Sequence, residues 1–596
     1  MDGQKSKIFD RFLNFVLRKR NLYLILIILI ALVLRITIAS NVYPLADEMN
    51  VAVRSINIHN SGTMNSIDES HSFYFLTEIG YKLTGYINLI TARAPSILFG
   101  ILSILLIYLI VLKLYRDEKI ALVSAFLVAI SGFQIRYSLA EMDITMAFFV
   151  LLSSYAFLSA IYDKKDYMYY ISALFLGLAI ATKTFAGVWV LSYLAFGIFY
   201  ISKNKEYGKE YIGKKGLKII LICFFIVLIS LVPVIIANYL LYKDRGIVDF
   251  QIARYLNINK EYYAGISGIE SPFLLSQIFT GMKSGINTFW ILDPAISVLA
   301  ILGFILTFKK YREANIFLFL WFLFTFLFIS GTAWLETHFV YNTLIFSIFS
   351  ALFIVNFDKM LLKKGVKFFI PVALILILMI NLWILAPHLT SKTAISKMRS
   401  YTIENIEKDS LVIVDQRIFR GRTAFIFNDR YYLEAAYLPQ IINQFGSSSV
   451  EKVRVKTYFI ECLKDDCGWG NIKDQPELNK SMEDLIKTFQ GISSEKATIY
   501  AGGGGDEKKG EPYFKIYETA IELNPAALKA TEQTHVHFFY PVNWKGEIYD
   551  KYNVKNSVDG IANEIGFFIF YLTILLEILS PFILIWFFKR EKINPN

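Results

Sequence analysis

The sequence predicts a polytopic α-helical membrane protein with a separate mixed α/β domain near its C-terminus. Its composition is the first reason, because hydrophobic residues make up 55% of the 596 residues, charged residues only 19%, and the mean hydropathy is +0.46. An ordinary soluble protein carries more charge and fewer apolar residues. The apolar residues also fall into long runs, whereas residues 391–562 are polar and follow a strand-like pattern.

The long apolar runs predict about twelve transmembrane spans, since a span needs roughly 20 apolar residues. They lie near residues 22–40, 88–112, 119–134, 143–162, 168–182, 185–202, 217–241, 291–308, 314–331, 340–357, 367–386 and 563–588. The first run is too long for a cleaved signal peptide and lacks a small-residue cleavage site, so we interpret it as an anchor.

Positive charges predict the orientation of these spans. The net charge of +11 comes from Lys and Arg in alternate short loops, which is typical of cytoplasmic loops and does not form a nucleic-acid-binding face. The basic positions are 18–20, 116–119, 164–165, 203–218, 309–312, 359–367 and 589–592. We therefore predict a multi-pass protein of the cell membrane with both termini in the cytoplasm, and no nucleic-acid partner.

The opposite, outer side then holds a loop at residues 41–87 and the soluble domain at 391–562, with 563–596 forming the last span and tail. The domain's segments "DSLVIVDQ", "AFIFNDRYYLEA", "VKTYFIEC", "ATIYAGGGG" and "PYFKIYET" are typical of strands, and "SMEDLIKTFQG" of a helix. Cys462 and Cys467 lie in this domain, where an oxidising compartment permits a local disulfide; free thiols remain the alternative.

Ionisable residues from distant segments are expected to meet at the outer face. Asp47 and Glu48 begin a stretch with the apolar spacing of an amphipathic helix, which predicts a helix lying on the bilayer surface. Arg35 lies inside the first span, where a charge is costly and usually functional. The turn after the third span adds Arg136, Glu141 and Asp143. Such a set suits a polar, anionic substrate that arrives from the lipid.

The order of several motifs resembles the C-type (GT-C) glycosyltransferases of the protein O-mannosyltransferase and lipid A aminoarabinose transferase group. The motifs are the Asp-Glu pair after the first span, "HSFYFLTEIGYKLTGYINLITARAPSILFGILSILLIYLI", "SGFQIRYSLAEMDITMAFF" and "LFLGLAIATKTFAGVWVL", with "ETHFVYNTLIFSIFSALF" further on. The resemblance implies transfer of a sugar from a dolichyl- or undecaprenyl-phosphate carrier to a protein, glycan or lipid acceptor on the outer face.

The resemblance also implies roles for single residues. Asp47 matches the family's acid in the first loop and would be the general base of an inverting displacement, with Glu48 assisting. Asp143 matches the acid at the head of the fourth span, and Glu141 lies beside it; both would contact sugar or acceptor. The lipid phosphate would be held by Lys183, Arg93, His71 and His338, with Arg35 and Arg136 nearby. Ser72 and Phe73 replace the two prolines that follow the position of His71 in relatives.

Three further expectations concern the metal, the outer domain and the alternatives. No cofactor is required by the motifs, although Glu48, Glu69 and His71 form a possible site for a divalent metal ion. All predicted chemistry except that of His338 lies before Trp189, so the site is expected to form without the outer domain. Because the motifs do not identify the acceptor, an oligosaccharyl or lipid-modifying transferase of the same fold is one alternative. A transporter or flippase of lipid-linked sugars, or a surface anchoring protein, is another; the absence of an internal repeat disfavours a transporter.

Overall fold

The computed structural model describes residues 19–42, 44, 46–61, 71–259, 261, 275–332, 336–366, 368–389, 392–418, 420–435, 438, 452–464, 467, 476–502, 508–531 and 556–590. Among the predicted site residues, Glu69 lies outside these ranges. For Asp47 and His71 the description extends to the backbone and not to the side chain.

Residues 19–389 and the helix Ser557–Arg590 form what we call the helical module. Its helices are Lys19–Ala39, Ala46–Ser61, His71–Thr84, Leu89–Tyr115, Glu118–Ile130, Gly132–Arg136, Met142–Tyr162, Tyr167–Thr182, Trp189–Lys203, Lys205–Tyr211, Lys214–Arg245, Phe250–Leu256, Ile278–Leu292, Pro294–Thr307, Arg312–Gly331, Val340–Leu362, Phe369–Leu389 and Ser557–Arg590, with 3₁₀ turns at Thr184–Val188, Leu275–Gln277 and Glu336–Phe339. The predicted loop at 41–87 thus contains two helices.

The predicted membrane architecture is confirmed, with fewer full spans than expected. By length and composition, the described part of the chain has nine helices that can cross a membrane, or ten if a pair bent by 114° at residue 293 is one span. Every predicted span overlaps a helix. However, the runs at 119–134, 168–182 and 291–308 form helices of 13, 16 and 14 residues, which at 1.5 Å per residue are shorter than the roughly 30 Å hydrocarbon layer.

The helix Met142–Tyr162 lies at the centre of the helical module, because the most apolar 18-residue stretch of this helix is entirely buried. It packs against Leu89–Tyr115 and Tyr167–Thr182. In contrast, only 17% of the most apolar 18-residue stretch of Lys214–Arg245 is buried. Most of this apolar helix therefore faces outward, as expected for contact with lipid. One close approach requires glycine, because a Cβ atom at Gly303 would lie 1.9 Å from the carbonyl oxygen of Phe349.

Residues 392–531 form the sheet domain, a five-stranded mixed sheet in the order β2-β1-β3-β5-β4. The strands are β1 (Leu411–Val414), β2 (Tyr431–Glu434), β3 (Val453–Cys462), β4 (Ser494–Tyr500) and β5 (Pro512–Leu523), with helices Ala394–Asn405, Arg420–Ile426, Pro476–Ile492 and Pro525–Thr531. β1 runs parallel to β2 and β3, while β5 runs antiparallel to β3 and β4. On one face, Phe459 of β3 stacks on Phe489 of a covering helix, with ring centroids 4.6 Å apart.

The sheet domain confirms the predicted mixed α/β class and corrects one segment. "AFIFNDRYYLEA" was expected to be a strand, but its first residues end the helix Arg420–Ile426 and only Tyr431–Glu434 is a strand. An apolar run of four residues does not distinguish a buried strand from a buried helix turn. Cys462 and Cys467 form a disulfide, so the free-thiol alternative does not hold.

The helix Ala46–Ser61, which we call the acid helix, packs against the sheet domain. Its apolar residues Met49, Val53 and Ile56 are buried in one hydrophobic cluster with residues of the domain's helices Ala394–Asn405 and Arg420–Ile426. The prediction that this apolar face rests on the bilayer is therefore wrong. Amphipathic spacing shows that a face is covered, but it does not identify the covering surface.

Polar contacts reinforce the same junction. Arg399 donates to the carbonyl of Ile87 at 3.4 Å and to the carbonyl of Ile426 and Asp429 Oδ1 at 2.8 and 2.7 Å. Although burial alone would raise the pKa of the Asp429 carboxyl, this guanidinium lowers it below its ordinary value. Ser396 Oγ donates to the carbonyl of Ser40 at 3.2 Å. We define the side of the helical module that meets the sheet domain as the domain side.

Candidate active site

Glu48 of the acid helix forms a fully buried ion pair with Arg93. Nε and Nη2 of Arg93 donate to the two carboxylate oxygens at 2.5 and 2.8 Å, and both side chains are 0% exposed. Arg93 also donates to the carbonyls of Ala39 and Val42 at 2.5 and 3.2 Å, while Glu48 accepts from the backbone N–H of Ala140 at 2.8 Å. Two of the predicted site residues thus bind each other and tie the acid helix to the helical module.

A second ion pair joins Asp143 to Lys183. Asp143 lies in the first turn of Met142–Tyr162, and Lys183 follows the last residue of Tyr167–Thr182. Lys183 Nζ lies 2.9 Å from Asp143 Oδ2, and the hydroxyl of Tyr341 donates to Oδ1 at 2.7 Å. The side chain of Lys183 is 17% exposed and that of Asp143 only 4%. Unlike the Glu48–Arg93 pair, this one has a cation that solvent or a ligand can reach.

His338 and Arg254 add positive or protonatable groups beside this pair. The His338 ring stacks on Phe185, with centroids 6.4 Å apart, and lies close enough to Asp143 and Lys183 for electrostatic interaction. Arg254 belongs to the short helix Phe250–Leu256 and interacts electrostatically with His338; its Nε and Nη2 atoms are buried and have no hydrogen-bond partner among the described residues. Arg254 was not predicted, since its segment has no recognisable motif.

The segment 131–137 places Arg136 close to the buried Glu48–Arg93 pair. Arg136 interacts electrostatically with both members, and its Nη1 atom is buried without a hydrogen-bond partner in the described structure. Tyr137 donates a hydrogen bond to Glu336. Asp293 fixes the start of this segment, because its carboxylate accepts from Ser131 Oγ at 2.6 Å and from the backbone N–H groups of residues 132 and 133 at 2.8 and 3.1 Å.

Glu141 and Arg35 occupy buried positions nearby. The backbone carbonyl of Glu141 accepts from Ser96 Oγ at 3.0 Å. Arg35 Nη1 donates to the carbonyls of Ala129 and Ala31 at 3.2 and 3.4 Å, whereas its Nε and Nη2 have no partner among the described residues. Arg35 therefore holds the end of the helix Glu118–Ile130, and a side chain at Gly100 would crowd it, with a Cβ atom 3.3 Å from Nε.

The described residues do not support the possible metal site. They contain no group of three or more His, Cys, Asp or Glu side chains that could hold a metal ion. Both oxygens of Glu48 already accept hydrogen bonds from Arg93. Glu69 and the His71 side chain lie outside the described structure, so the remaining ligands of the predicted set are not placed.

Two further residues of the site region were missed in the sequence. Tyr341, which binds Asp143, belongs to the motif "ETHFVYN", in which only His338 was singled out. Glu577 lies in the apolar run "YLTILLEILSPF" of the last span and is completely buried, with Oε1 3.5 Å from Thr182 Oγ1. A single acid inside an apolar span is itself a signal of function, and it could have been found.

Comparisons with known proteins agree with the predicted fold. The family model described as dolichyl-phosphate-mannose-protein mannosyltransferase matches residues 68–236. No curated protein sequence matches the chain. Among solved structures, ArnT from Cupriavidus metallidurans bound to undecaprenyl phosphate superimposes with a TM-score of 0.53 at 10% identity, over 83% of this chain and 97% of that one.

Two other structures are similar. ArnT from Cupriavidus metallidurans in the apo state gives a TM-score of 0.52 at 11% identity, over 83% of this chain and 97% of that one. The Archaeoglobus fulgidus oligosaccharyltransferase in complex with Zn and sulfate gives 0.47 at 14% identity, over 81% and 72%, which is too low a score to support an argument. With the family-model match and the ArnT superposition, the chain has the fold of the C-type (GT-C) membrane glycosyltransferases.

Proposed function

We propose that this protein is a membrane glycosyltransferase that moves one sugar from a polyprenyl-phosphate donor to an acceptor hydroxyl at the domain side. The observation that carries the proposal is the partly exposed Lys183, held by the buried Asp143, which lies three residues after Ala140, the residue whose N–H binds Glu48 of the acid helix. A cation at the end of a membrane helix suits the phosphate of a lipid carrier. The fold and the mannosyltransferase-model match support the same class of reaction.

The reaction that we propose is a single displacement. The acceptor hydroxyl attacks the anomeric carbon of the sugar, the bond from that carbon to the phosphate oxygen breaks, and the lipid phosphate leaves with the bonding electrons. The configuration at the anomeric carbon is therefore inverted. A base takes the hydroxyl proton, and a cation stabilises the negative charge that grows on the leaving phosphate.

We assign Asp47 as the base, partly because of the contacts of the other acids. Both oxygens of Glu48 accept hydrogen bonds from Arg93, and those of Asp143 accept from Lys183 and Tyr341. A carboxylate that is neutralised in this way is a weaker base. Asp47 precedes Glu48 on the acid helix, so the Glu48–Arg93 pair anchors the backbone that carries it. In this proposal Glu48 positions the base, and Asp143 positions Lys183.

The leaving phosphate is assigned to Lys183, with His338 and Arg254 beside it. These three groups come from separate segments. Lys183 and His338 interact electrostatically with Asp143, and Arg254 interacts with His338. Charge-assisted hydrogen bonds to a phosphate are stronger than neutral ones. Arg136 is a further candidate because of its buried, unpartnered Nη1 atom. Arg93, in contrast, donates to four acceptor atoms within the protein, so we assign it a structural role.

The same proposal covers location and partners. With Lys- and Arg-rich loops in the cytoplasm, the domain side faces outward, and both termini are cytoplasmic. The donor is a dolichyl- or undecaprenyl-phosphate sugar: undecaprenyl phosphate is the ligand bound in the similar ArnT structure. The acceptor is a protein, glycan or lipid at that face, and the sheet domain lies where it can contact it.

The test is cleavage of a lipid-phosphate sugar by purified protein. Full-length protein in lipid nanodiscs is incubated with undecaprenyl-phosphate and dolichyl-phosphate sugars, and the free lipid phosphate is measured by mass spectrometry. We expect release of lipid phosphate by the wild type and much slower release by a folded Asp47→Asn variant. If the wild type neither cleaves any such donor nor binds lipid phosphate, the proposed function is wrong.

A further inference from the structure

Glu577 is a buried carboxyl group that the proposed reaction does not yet use. It lies in the final helix Ser557–Arg590 and is 0% exposed. Its Oε2 atom has no hydrogen-bond partner among the described residues, and no described cation forms an ion pair with it. Placing an unsatisfied carboxyl in the hydrocarbon layer is costly, so such residues are usually retained for function.

Two hydroxyl groups from other helices lie beside this carboxyl. Thr182 Oγ1 is 3.5 Å from Glu577 Oε1. The hydroxyl of Ser72, in the helix His71–Thr84, also interacts with the Glu577 carboxyl. The Ser72 Oγ atom is also buried without a hydrogen-bond partner in the described structure. Ser72 Oγ and the Glu577 carboxyl thus lie together where three helices meet, and a polar group from outside the chain can bond to both.

The position of the cluster relates it to the proposed donor site. Thr182 directly precedes Lys183, which holds Asp143 at 2.9 Å. On the final helix, the neighbours Leu575, Ile578 and Leu579 are 41–49% exposed on its lipid-facing side. The carboxyl thus contacts the residue directly before Lys183, on a helix whose other residues reach the lipid-facing surface. A phosphate held by Lys183 would lie near this carboxyl.

We propose that Glu577, together with Ser72, binds the phosphate group of the lipid donor by hydrogen bonds, alongside Lys183. This proposal rests on the proposed function. The cluster can supply two O–H donors, those of Glu577 and Ser72, because the Thr182 hydroxyl donates to the carbonyl of Leu178 at 2.8 Å. A phosphodiester offers only acceptors, whereas a sugar hydroxyl offers both. Because no described cation contacts Glu577, an isolated negative charge there would be poorly compensated. The group acts as an uncharged hydrogen-bond donor.

The experiment compares binding of undecaprenyl phosphate with binding of undecaprenol, the neutral alcohol of the same length. Full-length protein in nanodiscs is used in a direct binding assay. Loss of a hydrogen bond to a charged group predicts that Glu577→Ala weakens undecaprenyl phosphate binding roughly tenfold or more, with undecaprenol binding unchanged. Glu577→Gln keeps an uncharged donor of the same shape, so its affinity for undecaprenyl phosphate should stay near that of the wild type.

A matched control lies one turn away on the same helix. Thr573 is buried, and its hydroxyl donates to the carbonyl of Phe570 at 2.7 Å, so Thr573→Ala should leave both affinities unchanged. If Glu577→Ala does not fold, Ser72→Ala replaces it, with a several-fold loss expected for undecaprenyl phosphate alone.

The possible outcomes separate the two proposals. If the wild type does not prefer undecaprenyl phosphate over undecaprenol, the proposed function itself fails. If the wild type has this preference and Glu577→Ala retains it in full, only the role of Glu577 is wrong. A Glu577→Gln variant as weak as Glu577→Ala would also overturn the inference, because it would show that the negative charge is needed. Equal loss for both lipids would indicate a purely structural role.

Discussion

Breaking the buried Glu48–Arg93 pair should destabilise the helical module without removing a phosphate ligand. In Arg93→Met, Glu48 retains one described hydrogen bond, from the N–H of Ala140 at 2.8 Å, and the weaker electrostatic interaction with Arg136. Removing one partner of a buried pair costs about 3–5 kcal/mol, because the other charge remains uncompensated. The carbonyls of Ala39 and Val42 also lose their donor, and each unsatisfied group costs about 1–3 kcal/mol.

The double variant Glu48→Met with Arg93→Met separates charge from hydrogen bonding. It removes the uncompensated charge but leaves the two carbonyls and the Ala140 N–H without partners. We therefore expect it to be more stable than Arg93→Met alone and less stable than the wild type. The two single variants and the double variant form a cycle whose coupling energy reports the pair.

The assay is thermal inactivation of protein in nanodiscs, followed as a rate, since membrane proteins of this size commonly unfold irreversibly. Undecaprenyl phosphate binding is measured in parallel at a temperature at which every variant is folded. We expect faster inactivation of Arg93→Met and nearly unchanged binding. A variant with wild-type stability that no longer binds lipid phosphate would refute this reasoning and would make Arg93 a ligand, as the sequence motif implies.

The remaining predictions concern the base, the cation, the topology and the sheet domain. Asp47→Asn should slow transfer roughly a hundredfold or more in a folded protein, as for loss of a general base; near wild-type turnover would exclude that role. Lys183→Ala should weaken lipid phosphate binding roughly tenfold or more and neutral lipid binding little, and an equal effect on both lipids would contradict it. In a background without free thiols, cysteines at Ser494 and Lys205 should react with impermeant reagents from opposite sides, Ser494 from outside; labelling of both from one side would reject the topology. Replacing residues 392–531 by a flexible linker should abolish donor hydrolysis as well as transfer, because the apolar face of the acid helix would no longer be covered. Surviving hydrolysis would show that the site forms without the sheet domain.

Much of the fold could be predicted because the local residue pattern of most helices and strands indicates the type of element. Apolar runs in the sequence predicted the nine helices of the described structure that are long enough to cross a membrane, but not Ile278–Leu292, and strand-like segments predicted β1, β3, β4 and β5. The lengths of the helices were harder, since apolar composition continues past the residues at which a helix ends. The covering surface of the acid helix could not be predicted, because Met398 and Phe425 lie more than 300 residues away in sequence from Met49.

The site could be predicted as a set of residue types but not as a set of pairs. Asp143 and Lys183 were singled out separately, and their contact depends on how two helices pack. Glu48 and Arg93 were given different roles, yet they bind each other. Arg254 carries no local signal at all. Its candidacy rests on spatial proximity to His338, which only the fold establishes.

Exposure distinguishes the two ion pairs in a way that the sequence does not. A charge in the membrane needs a partner, so both Arg93 and Lys183 were reasonable candidates for an anionic substrate. Arg93 and Glu48 are both 0% exposed and are held by further backbone contacts, so a phosphate could reach Arg93 only if the acid helix moved away. Lys183 is 17% exposed while its partner Asp143 is almost covered. A phosphate can therefore approach the Lys183 ammonium without displacing the Asp143 carboxylate. The ammonium would then lie between two anions, the carboxylate and the phosphate. On the proposed function, further positive charge would balance the phosphate, and Arg254, which interacts with the neighbouring His338, can supply it.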